Sequence, residues 1–349
     1  ADVGRAGAGL GIGARVAGGG AARDGRRLQG AANRLRSSAR GAGEGFANAT
    51  TLRREFEAAA LGAPGVKAAD IAEGIQGFVS KTGRLDIARP MAGTFATTAL
   101  ASGADVKDVA NAAADLFEKF DIKSIEDMQA AMAGLTYQGK RGAFELKDAA
   151  SQYGRIAAAA SVFGMDKGLK GVRTLGGLTQ IARTAKGGPE QAATAVEALF
   201  REVIQKSGKI EASGTQVFKR DAKGRKTSQF RDITDIIVDM TAKQKGDLPK
   251  LQHFLMEGMA AVSPLIGKFN KAREGTVGNE TERTAAGVRA MRDALESAID
   301  APGDWAEMQR DAARAGEDAS AQLDRAWEEA KATIAADMVP ALSSLAKNV

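Results

Sequence analysis

His253 and Glu257 stand four residues apart, the separation at which two metal ligands share one helix face. A zinc peptidase of the HExxH type needs a second histidine, and His253 is the only histidine in the chain. A surface pair therefore explains the two residues better than a metal site. No cysteine is present, which removes thiolate nucleophiles, thiolate metal ligands and disulfides together and fits synthesis in a reducing compartment. Gly7, Gly9, Gly11 and Gly13 resemble a phosphate loop only in composition. No strand precedes them, no G-x-x-x-x-G-K-[ST] follows, and the spacing misses the dinucleotide fingerprint. Their small-residue pattern is also too short and too interrupted, by Arg15, for a membrane helix pair. Carboxylates are plentiful, but most stand at helix starts or on polar faces, where capping and solvation account for them. The residue types thus nominate no catalytic residue, no cofactor and no metal.

Charge is the stronger signal. Arg23, Arg26, Arg27, Arg34, Arg36 and Arg40 form a basic contact surface that suits phosphates, bound with salt-dependent and sequence-independent affinity, or an acidic protein surface. Interleaved aromatic side chains for base stacking are missing. From Ala1 to Arg54 ten arginines face three acids, and from Val277 to Asp337 seven basic residues face fourteen acids. The acidic end is itself a candidate partner for the basic end of a neighbouring copy.

These residues are carried by elements that read as helices. The chain has 42 glycines and 5% aromatic residues in 349, against a usual glycine content near ~7%. Helices faced with Ala and Gly approach closely but bury little apolar area each, so self-association is expected. The spacing of Leu28, Ala31, Ala32 and Leu35 predicts a short basic helix, and Val106, Val109, Ala110, Ala113, Leu116, Phe117 and Phe120 predict a longer one. Asp105 and Ser124 are its N-cap and the next helix's. Leu146 to Phe163 continues the pattern between Gly142 and Gly164, and Gly187-Gly188-Pro189 separates two further helices. Thr215 to Phe218 and Thr227 to Phe230 flank Asp221-Ala222-Lys223-Gly224, which predicts an exposed β-hairpin. One helix is expected through Leu251, Phe254, Leu255, Met259 and Val262, ended or kinked by Pro264. The stripe Trp305, Met308, Ala312, Ala315, Ala319, Leu323, Ala326, Ala330 and Ile334 predicts a long amphipathic, coiled-coil-like helix.

The expected fold is all-α: an array of short Ala/Gly-rich helices with one small β-hairpin and a long C-terminal amphipathic helix. Residues 1–54 read as a basic Gly/Arg-rich arm or linker, 55–275 as a helical core, and 276–349 as an acidic amphipathic segment. The longest uncharged run, Pro90 to Ala104, is fifteen residues, short of the ~20 that span a bilayer. Beginning at Ala1 rather than Met, the chain reads as a segment of a longer one.

Taken in order, several stretches carry a resemblance. They are Phe78-Val79-Ser80-Lys81-Thr82-Gly83; Tyr137-Gln138-Gly139-Lys140-Arg141-Gly142-Ala143-Phe144 followed by Phe163-Gly164-Met165; Gln180-Ile181-Ala182-Arg183-Thr184; Val217 to Asp235, with Asp221, Gly224, Arg231 and Asp232; and Ala261 to Asn270. Between Val66 and Gly267 the sequence resembles the core of phage tail tape-measure proteins. The resemblance implies a non-enzymatic component of a phage, prophage or gene-transfer-agent tail, made in the host cytoplasm and housed in the tail lumen or tip. It also implies tail tube and distal tip proteins, assembly chaperones and self-association, as a trimer, as partners, with contact to DNA and the host envelope during ejection. Such proteins set tail length and leave the tube ahead of the genome. Neither the very long coiled coil nor the peptidoglycan hydrolase domain of some members is recognisable. Outside this family, the sequence also admits a membrane-active channel-forming protein and a sequence-independent nucleic-acid-binding module.

Overall fold

The computed structural model describes residues 22–37, 48–142, 144–317 and 326–329. The protein is 77% helical with one small antiparallel two-stranded hairpin, so the all-α expectation holds. Chain contacts divide it into two compact units, one taking in residues up to Asn111 and from Ala306 onward, the other Ala112–Trp305.

In the first unit, α1 spans residues 22–37, followed by α2 (Ala49–Leu61), α3 (Ala68–Thr82), α4 (Leu85–Ala88), a 3-10 turn at Arg89–Met91 and α5 (Ala92–Ser102). The four residues whose spacing predicts α1 are its buried ones, Leu28, Ala31, Ala32 and Leu35. Phe56, Phe78 and Phe95 are fully buried, with the last two rings 6.0 Å apart. Each contributes about 1.5–3 kcal/mol through removal from water. Between them the core is largely alanine. Gly83, the C-cap of α3, has φ 70°, a left-handed backbone that glycine adopts without a Cβ penalty. Helix α6 (Val106–Phe120) starts at Asp105, which accepts the Lys107 N–H at 2.8 Å.

The second unit contains the rest of α6 and then α7 (Ile125–Arg141), α8 (Leu146–Phe163), α9 (Gly168–Ala185), α10 (Pro189–Gln205) and α11 (Ser207–Ala212). The hairpin β1 (Phe218–Arg220) and β2 (Lys226–Phe230) follows, then α12 (Ile233–Lys243), α13 (Leu248–Gln252), α14 (Met259–Gly275) and α15 (Glu280–Ile299). Helix α9 is the hub: α7, α8, α10, α14 and α15 all pack on it, and it buries a continuous run from Thr174 to Ala182. Helix α16 (Trp305–Gly316) buries Met308 and Ala312 in the first unit.

Two expectations change. The helix expected from Leu251 to Val262 is two helices, because α13 ends at Gln252 and α14 begins at Met259. Pro264 neither ends nor starts a helix but lies inside α14. The cause of the break is Glu202 of α10, a buried carboxylate that accepts the backbone N–H groups of Met256 (2.7 Å), Glu257 (3.0 Å) and Gly258 (3.2 Å). Those donors, turned toward an anion, cannot continue α13, and charge-assisted bonds of this kind outweigh ordinary helix bonds. The second change concerns the C-terminal stripe. It starts at Trp305 as expected, but Ala315 is exposed, and the positions at Ala319, Leu323, Ala330 and Ile334 lie outside the described residues.

Candidate functional site

The sequence motifs converge on the junction of α7, α8 and α9. At the end of α7, Gln138 donates through Nε2 to the carbonyls of Arg173 (2.9 Å), Ala298 (3.0 Å) and Ile299 (3.2 Å). One amide thereby ties α7 to α9 and to the end of α15. Nearby, Gln180 of α9 reads the backbone of Phe144 in both directions: Oε1 accepts its N–H at 3.0 Å and Nε2 donates to its carbonyl at 2.8 Å. Phe144 is buried, so without Gln180 the connection from α7 to α8 would hold an unsatisfied peptide group.

Glycine makes these contacts possible. At Gly142 a Cβ would overlap Gln180 Oε1, and at Gly176 one would overlap Gln138 Oε1. In both places a glycine Cα–H points at an amide oxygen, the arrangement of a weak Cα–H···O contact. Gln138 Oε1 has no conventional donor among the described residues, and the Gly176 contact is what faces it. Gly139 lets the returning chain approach α7, since a Cβ there would lie 3.0 Å from Glu145 Cα. Gly164 caps α8 with φ 82°.

The hairpin motif is accounted for in the same way. Asp221 Oδ1 accepts the N–H groups of Lys223 and Arg225, both at 2.9 Å, and Oδ2 accepts from Arg225 Nε at 2.8 Å. The Arg225 backbone bond, then its side chain, holds the Asp221 carboxyl below the usual carboxylate range. Gly224 supplies the left-handed turn residue, at φ 76°. Phe230 stacks on Phe163 of α8 and on Phe218, both at 4.7 Å between centroids, and Phe163 lies 5.4 Å from Phe200. Arg231 bonds Asp239 (2.6 Å) and the Gln216 carbonyl (2.8 Å), and Asp232 caps α12 by accepting the Thr234 N–H at 2.9 Å.

The arginines of the expected basic surface are held differently. Arg27 is held by Glu73 (3.0 Å) and Asp70 (2.8 Å) on α3. The Glu73 bond raises the Arg27 pKa, and the same bond lowers that of Glu73. Arg34 donates to Gln76 at 2.8 Å, and Arg36 is half-buried, while Arg23 and Arg26 are exposed. Arg40 lies outside the described residues. His253 follows α13 and Glu257 lies in the turn beyond it, paired with Arg201 at 2.6 Å, so the two share no helix face.

A family model described as phage-related minor tail protein matches residues 55–267. The chain belongs to this family. It is a structural component of a phage tail, and each glycine, glutamine, arginine and aspartate singled out between Gly83 and Asp232 falls within the matched span. No curated protein and no solved structure matches the chain. No group of three or more His, Asp or Glu able to hold a metal occurs among the described residues. A cleft of about 260 Å³ lies beside Gln138 and Gln180 with Ile181, Pro264, Leu265 and Ala298 on its walls. It is smaller than a typical ligand pocket, and Thr184, Lys268, Ser297 and Asp300 also line it. No helix among the described residues is long and apolar enough to cross a membrane.

Sequence reading missed Glu202 and the role of Gln138. Glu202 lies within the buried stripe of α10, close to Leu199, Phe200 and Val203. A lone acid among buried positions is the signal that could have found it.

Proposed function

We propose that this minor tail protein is the folded core of a tail tape-measure protein, acting in tail assembly, length determination and genome delivery. The observation that carries the reading is the ordered string of glycine and glutamine motifs within residues 55–267, which serve helix caps, a tight turn and close helix approach. A core of alanine and glycine suits a protein that packs in several copies inside a narrow tube and unpacks to leave it. In this reading the chain sits in the tail lumen or tip as a trimer after synthesis in the host cytoplasm. It contacts tube subunits, distal tip proteins and assembly chaperones there, and meets the genome and the host envelope at ejection.

The test is tail length. Inserting forty helix-forming residues after residue 317 in the intact tail gene cluster lengthens tails by about 60 Å at 1.5 Å per residue, measured by negative-stain microscopy. Tails of unchanged length would refute the length-setting role. Sedimentation of the purified chain as a monomer at all concentrations would refute the trimer.

A further inference from the structure

The hairpin concentrates positive charge. From Phe218 to Phe230 it has Lys219, Arg220, Lys223, Arg225 and Lys226 against the single acid Asp221, and all five cations are exposed. Asp221 is paired with Arg225 and accepts the turn's own N–H groups, so it offsets that one cation and leaves Lys219, Arg220 and Lys223 outward. Among the described residues, Lys226 is the one cation of the five paired from outside the hairpin, with Glu211 of α11. Arg220 and Lys226 stand directly opposite each other in the ladder, a like-charge pair that weakens a two-stranded sheet. Such a ribbon is marginal by itself, so this repulsion is tolerated against stability.

The apolar side chains are not available as anchors. Phe230 is stacked on Phe163, and Lys226 Nζ covers the Phe218 ring 4.1 Å from its centroid. What remains outward is cations with Thr227, Ser228 and Gln229 and no aromatic group. Protein interfaces centre on buried aromatic or aliphatic anchors. Surfaces that bind nucleic acid are more polar and far more positive, and a two-stranded ribbon fits the major groove of a duplex.

We propose that the hairpin Phe218–Phe230 is a sequence-independent contact for the phosphate backbone of double-stranded nucleic acid. The site differs from the arginine-rich segment, where Arg27 and Arg34 are engaged on α3. It stands whether or not the chain sets tail length.

Fluorescence anisotropy of the full chain with a labelled 30-base-pair duplex of arbitrary sequence tests it. Three cations that reach phosphates, Lys219, Arg220 and Lys223, give a slope of about −2.7 in log K against log salt, or a loss of about 40-fold from 50 to 200 mM. The variant K219Q/K223Q removes two side chains with exposed positions and lowers the slope to about −0.9, leaving a loss of about 3.5-fold over the same range. Its thermal midpoint stays that of the parent, which separates lost contact from lost fold, and R23Q/R26Q leaves the slope unchanged. Three results overturn the proposal: no duplex binding by the parent, a salt slope unaltered in K219Q/K223Q, or loss of self-association in that variant with duplex binding intact. The last would identify an acidic protein surface as the partner.

Discussion

Replacing Gln180 isolates the two hydrogen bonds that hold the turn between α7 and α8. In Q180L the side chain keeps its approximate volume but leaves the N–H and carbonyl of Phe144 without their partners at 3.0 and 2.8 Å. Phe144 is 2% exposed, so water does not readily replace them, and each orphaned group costs about 1–3 kcal/mol. The sum is about 4 kcal/mol, which lowers the midpoint of a 150–250-residue unit by about 8–16 °C. The assay is near-UV circular dichroism of tyrosine. Tyr137 and Tyr153 are the only tyrosines and both lie in Ala112–Trp305, so the signal reports the unit concerned. Q180E adds a pH signature. Its carboxylate can accept from the Phe144 N–H but opposes the Phe144 carbonyl, where the protonated acid can donate, so folding raises the pKa of the introduced group. A group raised in the folded state contributes its stability below the unfolded value, about 4.3, and loses it as pH rises through the folded value. Relative to the parent, Q180E is therefore least impaired near pH 4 and most impaired at pH 7. A Q180L protein melting with the parent, or a Q180E deficit that does not change with pH, would show that the glutamine does not hold the turn.

Further perturbations test the same reading. G142A and G176A should each destabilise by about 2–4 kcal/mol in urea titrations, because the added methyl displaces a buried glutamine oxygen. G93A, where a Cβ meets nothing within 4 Å, should stabilise by about 0.5–1 kcal/mol through helix propensity. E202A leaves the three N–H groups before α14 unmet and should cost about 3–5 kcal/mol, with protection from hydrogen exchange lost first at Met256 to Gly258. Burial, assisted by the nearby Asp115 charge, pushes the Tyr153 hydroxyl well above its ordinary pKa. Native protein should thus keep that phenol neutral, with full stability below pH 10 and loss above it as unfolding releases the proton. Absorbance at alkaline pH would follow the step, and Y153F, which removes a buried hydroxyl lacking a partner, should abolish it at a stability cost within about 1 kcal/mol of zero.

How much of this was legible in the sequence depended on whether the cause was local. The helices α6 and α8 follow from the spacing of their apolar stripes, and the hairpin follows from Asp221 and Gly224, because the turn residues act on their own backbone. Gly164 was legible as a stop for the same reason. The break between α13 and α14 was not, since its cause is a carboxylate more than fifty residues earlier. Pro264 drew the boundary to the wrong place: it is the sixth residue of α14, which continues to Gly275 without the hydrogen bond that a proline cannot donate. The partners of Arg27 were hidden for a similar reason: it finds Asp70 and Glu73 only once α1 lies on α3. Family resemblance located Gly139, Gly142 and Gln180, but not that Gly142 and Gln180 act as one contact.

The bonds made by Gln138 also impose an order on synthesis. Its amide meets the Arg173 carbonyl thirty-five residues later, but the Ala298 and Ile299 carbonyls only about 160 residues later. On the ribosome, which delivers the chain from its N-terminus, α7 and α9 can pair long before α15 exists. Gly177, against which Ile299 comes to rest within 2.8 Å of a Cβ position, stays uncovered for that interval. The unit thus remains open until its last helix arrives, which leaves a defined window in which a chaperone could hold the nascent chain before it closes.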